Sequence, residues 1–296
     1  MRGPLLTVVP TVPTLTVDDH DCTTCALSCT TGCVLNRKSL LCTGLAAVIA
    51  ATGVASADRL VDVRPIARGH FLAPQFAPDG SKILVTGPQM QGLHVLSLST
   101  GAAVQLTTDP EAGVHARWSS DGTIAYRALR AGARRDLKID RTGAVKLRAA
   151  AASIAFAKND RLYVQRGAAW VQIGTGDRYF GERVSPDGDK VVVQGLTTGL
   201  HVYVRSTGAL VHIGPGTAPA WSPDSRRLVY EVTEDDGHDV LASDLYLYEL
   251  STDRAVLVTT DDRMIKRRPS FSPDGTKIAF DDDAGAIYVG RLEVQP

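Results

Sequence analysis

The chain has 296 residues, 44 % of them hydrophobic and 22 % charged, which is an ordinary globular composition. Its 32 Lys and Arg side chains balance 32 Asp and Glu, so no global field draws it to nucleic acid or to an anionic membrane. All five cysteines (Cys22, Cys25, Cys29, Cys33, Cys42) lie in the first 42 residues, which excludes a disulfide, a thiolate metal site or a cysteine nucleophile anywhere later.

Residues 1–33 carry Pro4, Pro10, Pro13 and repeated Thr, and read as disordered. The spacing Cys22-x2-Cys25-x3-Cys29-x3-Cys33 matches no standard zinc or iron–sulfur set, so no metal or other cofactor is expected. Residues 34–57 read as a secretory signal peptide. Arg37 and Lys38 precede an apolar run, and Ala55-Ser56-Ala57 offers a small-x-small cleavage site after Ala57. The run is too short and too rich in small residues for a stable membrane span. Signal peptides begin near a true N-terminus. Translation is therefore expected to start at Val34 or Leu35, leaving residues 1–33 outside the protein. The mature chain, 58–296, is expected to be periplasmic or secreted, a single domain and a monomer.

One unit then recurs. Pro74-Gln-Phe-Ala-Pro-Asp-Gly80 is followed by Lys82-Ile83-Leu84-Val85, and Pro269-Ser-Phe-Ser-Pro-Asp-Gly275 by Lys277-Ile278-Ala279-Phe280. Further copies turn at Asp121-Gly122, Asp187-Gly188 and Asp224-Ser225, with a degenerate one at Asn159-Asp160. In each, a bulky residue (Phe76, Trp118, Phe156, Val184, Trp221, Phe271) ends a short strand. Where Pro is present it presets φ for the turn. Asp79, Asp121, Asp187, Asp224 and Asp274 cap their turns, and Gly80, Gly122, Gly188 and Gly275 supply positive φ. An alternating strand follows, and often a second hairpin, such as 94–107, 202–213 or 245–259. Four short antiparallel strands per unit make a propeller blade.

The turn Asp residues are spaced 42, 39, 27, 37 and 50 apart. Most gaps fit a blade of about 40 residues. The shortest implies a trimmed third blade, and the longest implies an insertion at 233–243. The last copy supplies only three strands. Arg59–Pro65 has no hairpin of its own and is expected to add the outer strand to that blade, closing the ring without open edges. The expectation is an all-β, six-bladed β-propeller.

These repeats resemble the TolB-type (PD40, WD40-like) propeller repeat, over about residues 59–294. TolB itself carries an α/β domain before its propeller, whereas only some 15 residues separate Ala57 from the first repeat. The resemblance implies a rigid scaffold for protein or peptide partners in the cell envelope.

No Gly-x-Ser-x-Gly elbow, His-Glu-x-x-His or P-loop occurs, so no catalytic residue is assigned. Glu234-Asp-Asp-Gly-His-Asp239 lacks EF-hand spacing and reads as a solvated loop tip. Asp281-Asp282-Asp283 reads as a hairpin turn. Some TolB-like propellers are metal-dependent glycan lyases, but His70 and His115 alone fall short of the three or more ligands a metal needs. The loops that enter the innermost strands ring a propeller's channel. They carry His70, His115, Arg117, Glu182, Arg183, Arg267 and Arg268, a set suited to carboxylates. The expectation is a non-enzymatic platform for a protein or peptide. The alternatives are a metal-assisted, carbohydrate-active enzyme and a structural or sensor module.

Overall fold

The repeated turn is locked by a small polar device. Ser222 Oγ donates to Asp224 Oδ1 (2.5 Å) and accepts the Arg227 amide (2.9 Å), so the hydroxyl ties the turn to the strand that follows. Ser185 with Asp187 and Ser272 with Asp274 repeat it. At Asp274 the Ser272 hydroxyl, and next the Thr276 amide, hold the carboxyl down at about 2. Gly80 and Gly275 both take φ 71°. In the fifth copy Ser225 adopts φ 61° instead, and its hydroxyl accepts the Asp187 amide of the preceding blade at 3.0 Å.

The computed structural model describes residues 58–148, 154–174, 176–259 and 264–295. The expected signal peptide and cysteine cluster lie outside them. An opening strand, β1 (Arg59–Arg68), precedes the blades. Blade one holds β2 (Leu72–Phe76), β3 (Lys82–Thr86), β4 (Leu93–Ser97) and β5 (Ala103–Thr107). Blade two holds β6 (Arg117–Trp118), β7 (Ile124–Arg130), β8 (Ala133–Ile139) and β9 (Val145–Leu147). Blade three has only β10 (Ala155–Lys158), β11 (Arg161–Arg166) and β12 (Ala169–Ile173). Blade four holds β13 (Tyr179–Val184), β14 (Lys190–Gly195), β15 (Gly199–Val204) and β16 (Leu210–Gly214). Blade five holds β17 (Thr217–Trp221), β18 (Arg227–Asp235), β19 (Val240–Glu249) and β20 (Arg254–Leu257). Blade six holds β21 (Arg267–Phe271), β22 (Lys277–Asp281) and β23 (Ala286–Glu293), with β1 as its fourth strand.

The six sheets form a β-propeller, as the repeat predicts. β1 runs antiparallel to β23 from Arg59 opposite Glu293 to Arg68 opposite Ala286. The 50-residue spacing is absorbed by lengthening the β18–β19 hairpin, and the acidic run is its tip. There Asp236 Oδ1 accepts the amides of His238 (2.9 Å) and Asp239 (2.8 Å).

Gly285 lets the ring close. It turns β22 into β23 at φ +76°, and a Cβ there would meet His70 Cα at 2.4 Å. Gly285→Ala therefore combines a left-handed penalty of about 1–2 kcal/mol with a backbone clash. A clear fall in melting temperature is expected, and an unchanged melt would show that the β1–β2 linker does not lie against this turn.

Blades pack face to face through apolar clusters. Five are present, joining one to two, three to four, four to five, five to six, and six to one. Among the described residues no such cluster joins blade two to blade three. Alternation explains why. Ile124, Tyr126, Leu137 and Ile139 of blade two point to blade one, leaving Arg127, Asp136 and Lys138 on the side toward blade three.

Candidate binding site at the channel

The innermost strands β2, β6, β10, β13, β17 and β21 surround the channel. One position recurs just before the bulky residue that ends five of them. It holds Gln75, Arg117, Arg183, Ala220 and Ser270, opposite Leu84, Ala125, Val192, Val229 and Ala279. The bulky residue reaches back to the preceding blade. Trp118 Nε1 donates to Gln75 O (3.3 Å), and Trp221 Nε1 donates to Arg183 O (3.0 Å). These ring nitrogens fix the backbone that carries the channel side chains.

Arg117 and Arg183 thus sit at equivalent places in blades two and four. Neither guanidinium has a carboxylate within ion-pair distance among the described residues. Surrounding protein pushes the Arg183 guanidinium down from its ordinary value; Glu182 offsets this, and Arg117 adds to it. His115 is likewise held below its ordinary value, first by burial and then by Arg127 and Arg183, against Glu182. The four predicted residues His115, Arg117, Glu182 and Arg183 therefore share one electrostatic environment.

Arg267 and Arg268 have partners. Arg267 Nε donates to Glu231 Oε1 (3.2 Å), which also accepts from Thr217 Oγ1 (2.9 Å). Arg268 makes a two-pronged ion pair with Asp281, whose Oδ1 accepts Arg268 Nε at 3.1 Å. Asp281 is fully buried and Glu231 is 3 % exposed. Both carboxylates serve a second purpose. β2, β13, β17 and β21 each bulge near their start, with positive φ at Ala73, Gly181, Ala218 and Arg268. Glu231 Oε2 accepts the Arg268 amide (2.5 Å), and Asp281 Oδ1 accepts the Ala73 amide (3.1 Å). A carboxylate on the second strand of one blade, Glu231 in mid-β18 and Asp281 at the end of β22, caps the bulge of the next. Burial pushes the Asp281 carboxyl up to about 6, with Arg268 pulling the other way.

His70 is exposed on the β1–β2 linker at φ 59°. Among the described residues no three His, Cys, Asp or Glu side chains converge on a point that could hold a metal.

A cleft of about 640 Å³ opens from the Arg117 position between blades two and three, its lining including His115, Arg127, Arg148, Phe156 and Glu182. On its blade-three wall Phe156 stacks on Tyr163 (centroids 5.2 Å) and tilts against Trp170 (4.8 Å). Arg127 pairs with Asp136 at 3.0 Å on the other wall. Sequence reasoning missed this cleft. The 27-residue spacing signalled an irregular blade, but not which face it would leave polar.

No family model matches the chain, and no curated protein matches it. Among solved structures, TolB from Acinetobacter baumannii is 17 % identical over 76 % of this chain, with a TM-score of 0.36; the match spans 55 % of the TolB chain. An oligogalacturonate lyase in complex with manganese is 14 % identical over 78 % of this chain and 93 % of its own, with a TM-score of 0.44. The β-propeller domain of Cps50 (Swd1) from Myceliophteria thermophila is 11 % identical over 77 % of this chain and 98 % of its own, at 0.49. Six sheets in a ring, each opened by the repeated hairpin, decide the architecture. The fold is a six-bladed β-propeller. Of the four predicted channel arginines, Arg117 and Arg183 have no carboxylate partner among the described residues, and Arg267 and Arg268 of blade six have one each.

Proposed function

We propose that this propeller is an exported, non-enzymatic platform that binds an acidic protein or peptide segment at the channel face formed by His115, Arg117, Glu182 and Arg183. The observation that carries the reading is the pair of channel guanidinium groups without carboxylate partners. Where an arginine of this ring holds structure together, as on blade six, the chain supplies it with Glu231 or Asp281. Two unmatched arginines at one repeat position favour a carboxylate from outside. Export rests on residues 34–57. Among the described residues no helix is long and apolar enough to cross a membrane.

The test is calorimetric titration of the full chain with hexaglutamate. Arg117→Ala combined with Arg183→Ala is expected to weaken binding at least tenfold, whereas Arg267→Ala lowers the melting temperature and leaves affinity within about twofold. Binding is expected to strengthen as pH falls from 8 to 6. The surroundings hold His115 below its ordinary value, first by burial and then by Arg127 and Arg183, and a bound carboxylate favours its protonated form. Affinity indifferent to the double variant would overturn the reading. A stoichiometric divalent ion lost on His70→Ala or His115→Ala would replace it with a metal-assisted, carbohydrate-active enzyme.

A further inference from the structure

Blade three is the only three-stranded sheet of the ring among the described residues. The chain passes from Ile173 at the end of β12 to Tyr179 at the start of β13, which leaves no length for a fourth strand. The β11–β12 hairpin turns through Gly167-Ala168 with Gly167 at φ 61°, a two-residue turn that makes Arg166 and Ala169 a hydrogen-bonded pair. Alternate pairs then bond in the same way, so the main-chain groups of Trp170 and Gln172 point outward. The edge reads Ala-Trp-Val-Gln-Ile, with no proline or charge to protect it, and Trp170 is 46 % exposed.

The flanks of the vacant strand position differ. Toward blade four lie half-buried Val171 and Leu210, the latter 37 % exposed. Toward blade two lie Lys138 and Lys146, opposite each other in the β8–β9 ladder. Lys146 is held by Asp140, and Lys138 has no carboxylate partner among the described residues.

We infer that the free edge of β12 takes a fourth strand from a protein partner, an extended segment that alternates apolar residues toward blade four with acidic residues toward blade two. This rests on the platform reading and gives it a second contact surface, outside the channel.

The probe is an eight-residue peptide alternating Val and Glu, with a Val/Lys peptide and octaglutamate beside it. Amide hydrogen exchange is followed on the full chain. The Val/Glu peptide is expected to slow exchange at Trp170 and Gln172 at least tenfold, and octaglutamate to leave both unchanged. Gln172→Pro removes one outward amide and is expected to abolish the protection at Trp170. Lys138→Glu, which leaves the edge intact, is expected to transfer preference to the Val/Lys peptide. Protection that persists in Arg117→Ala/Arg183→Ala separates this edge from the channel. Peptide binding without slower exchange at Trp170 and Gln172 overturns the inference alone. No binding of any acidic peptide overturns the platform reading with it.

Discussion

Asp281→Ala is expected to lower the melting temperature by roughly 6–12 °C, the equivalent of about 3 kcal/mol for a domain of this size. The substitution strips Arg268 of its partner and leaves the Ala73 amide of the next blade without an acceptor. Arg268 is 24 % exposed, which places the cost at the lower end of the range for a broken buried pair. Asp281→Asn keeps an acceptor for that amide and is expected to cost about 1 kcal/mol at pH 7. The two proteins differ in pH response. Burial raises the folded carboxyl from its ordinary 3.8 to about 6, so between those values the folded state holds a proton that the unfolded chain has released. Stability from this group is full below about 3.8 and is lost as pH rises through about 6. Melts at pH 7.5 and pH 5 should therefore show the wild type gaining on Asp281→Asn at the lower pH. A gap that does not move would mean that Arg268 holds Asp281 ionised throughout.

Leu60→Asp is expected to cost about 4 kcal/mol, a fall of roughly 8–16 °C. Leu60 is 7 % exposed and packs with Val258 and Leu292, and its amide donates to Val258 O at 2.7 Å. One side chain of β1 thus joins blades five and six, and a carboxylate there loses the burial and adds an unpaired charge. Asp62→Ala, two residues along, removes only an exposed pair with Arg291 and should shift stability by no more than about 0.5 kcal/mol. If Leu60→Asp melts like the wild type, β1 is not the closing strand in solution.

Much of this architecture is legible in local chemistry. Pro-Asp-Gly dictates a turn whatever surrounds it, and alternation in Lys82–Val85 or Lys277–Phe280 dictates a strand with one face toward each neighbour. The short third blade and the closing strand follow from counting strands against spacing. The candidate site is less legible, because it depends on which blade faces which. Asp281 looks like the first of three turn aspartates, yet it ends β22 and points into the ring, while Asp282 makes the turn through the Ala286 amide (2.7 Å). Glu231 lies just before the expected insertion at 233–243, in a stretch with no motif to mark it. Without those two carboxylates in view, Arg267 and Arg268 are indistinguishable from Arg117 and Arg183. Phe156 carries the same signal as Trp118 or Phe271, and only the neighbouring wall, polar at Arg127 and Asp136, makes its surroundings different.

Among the described residues no apolar cluster joins blade two to blade three, so this joint is held differently from the other five. Five joints are fastened by burial that salt does not screen, whereas the described lining of the sixth mixes apolar side chains with charges, whose attraction weakens over a Debye length of about 8 Å at physiological ionic strength. Arg117 stands on one side of that joint and Arg183 one blade beyond the other. Rising salt is therefore expected to loosen this joint before the other five.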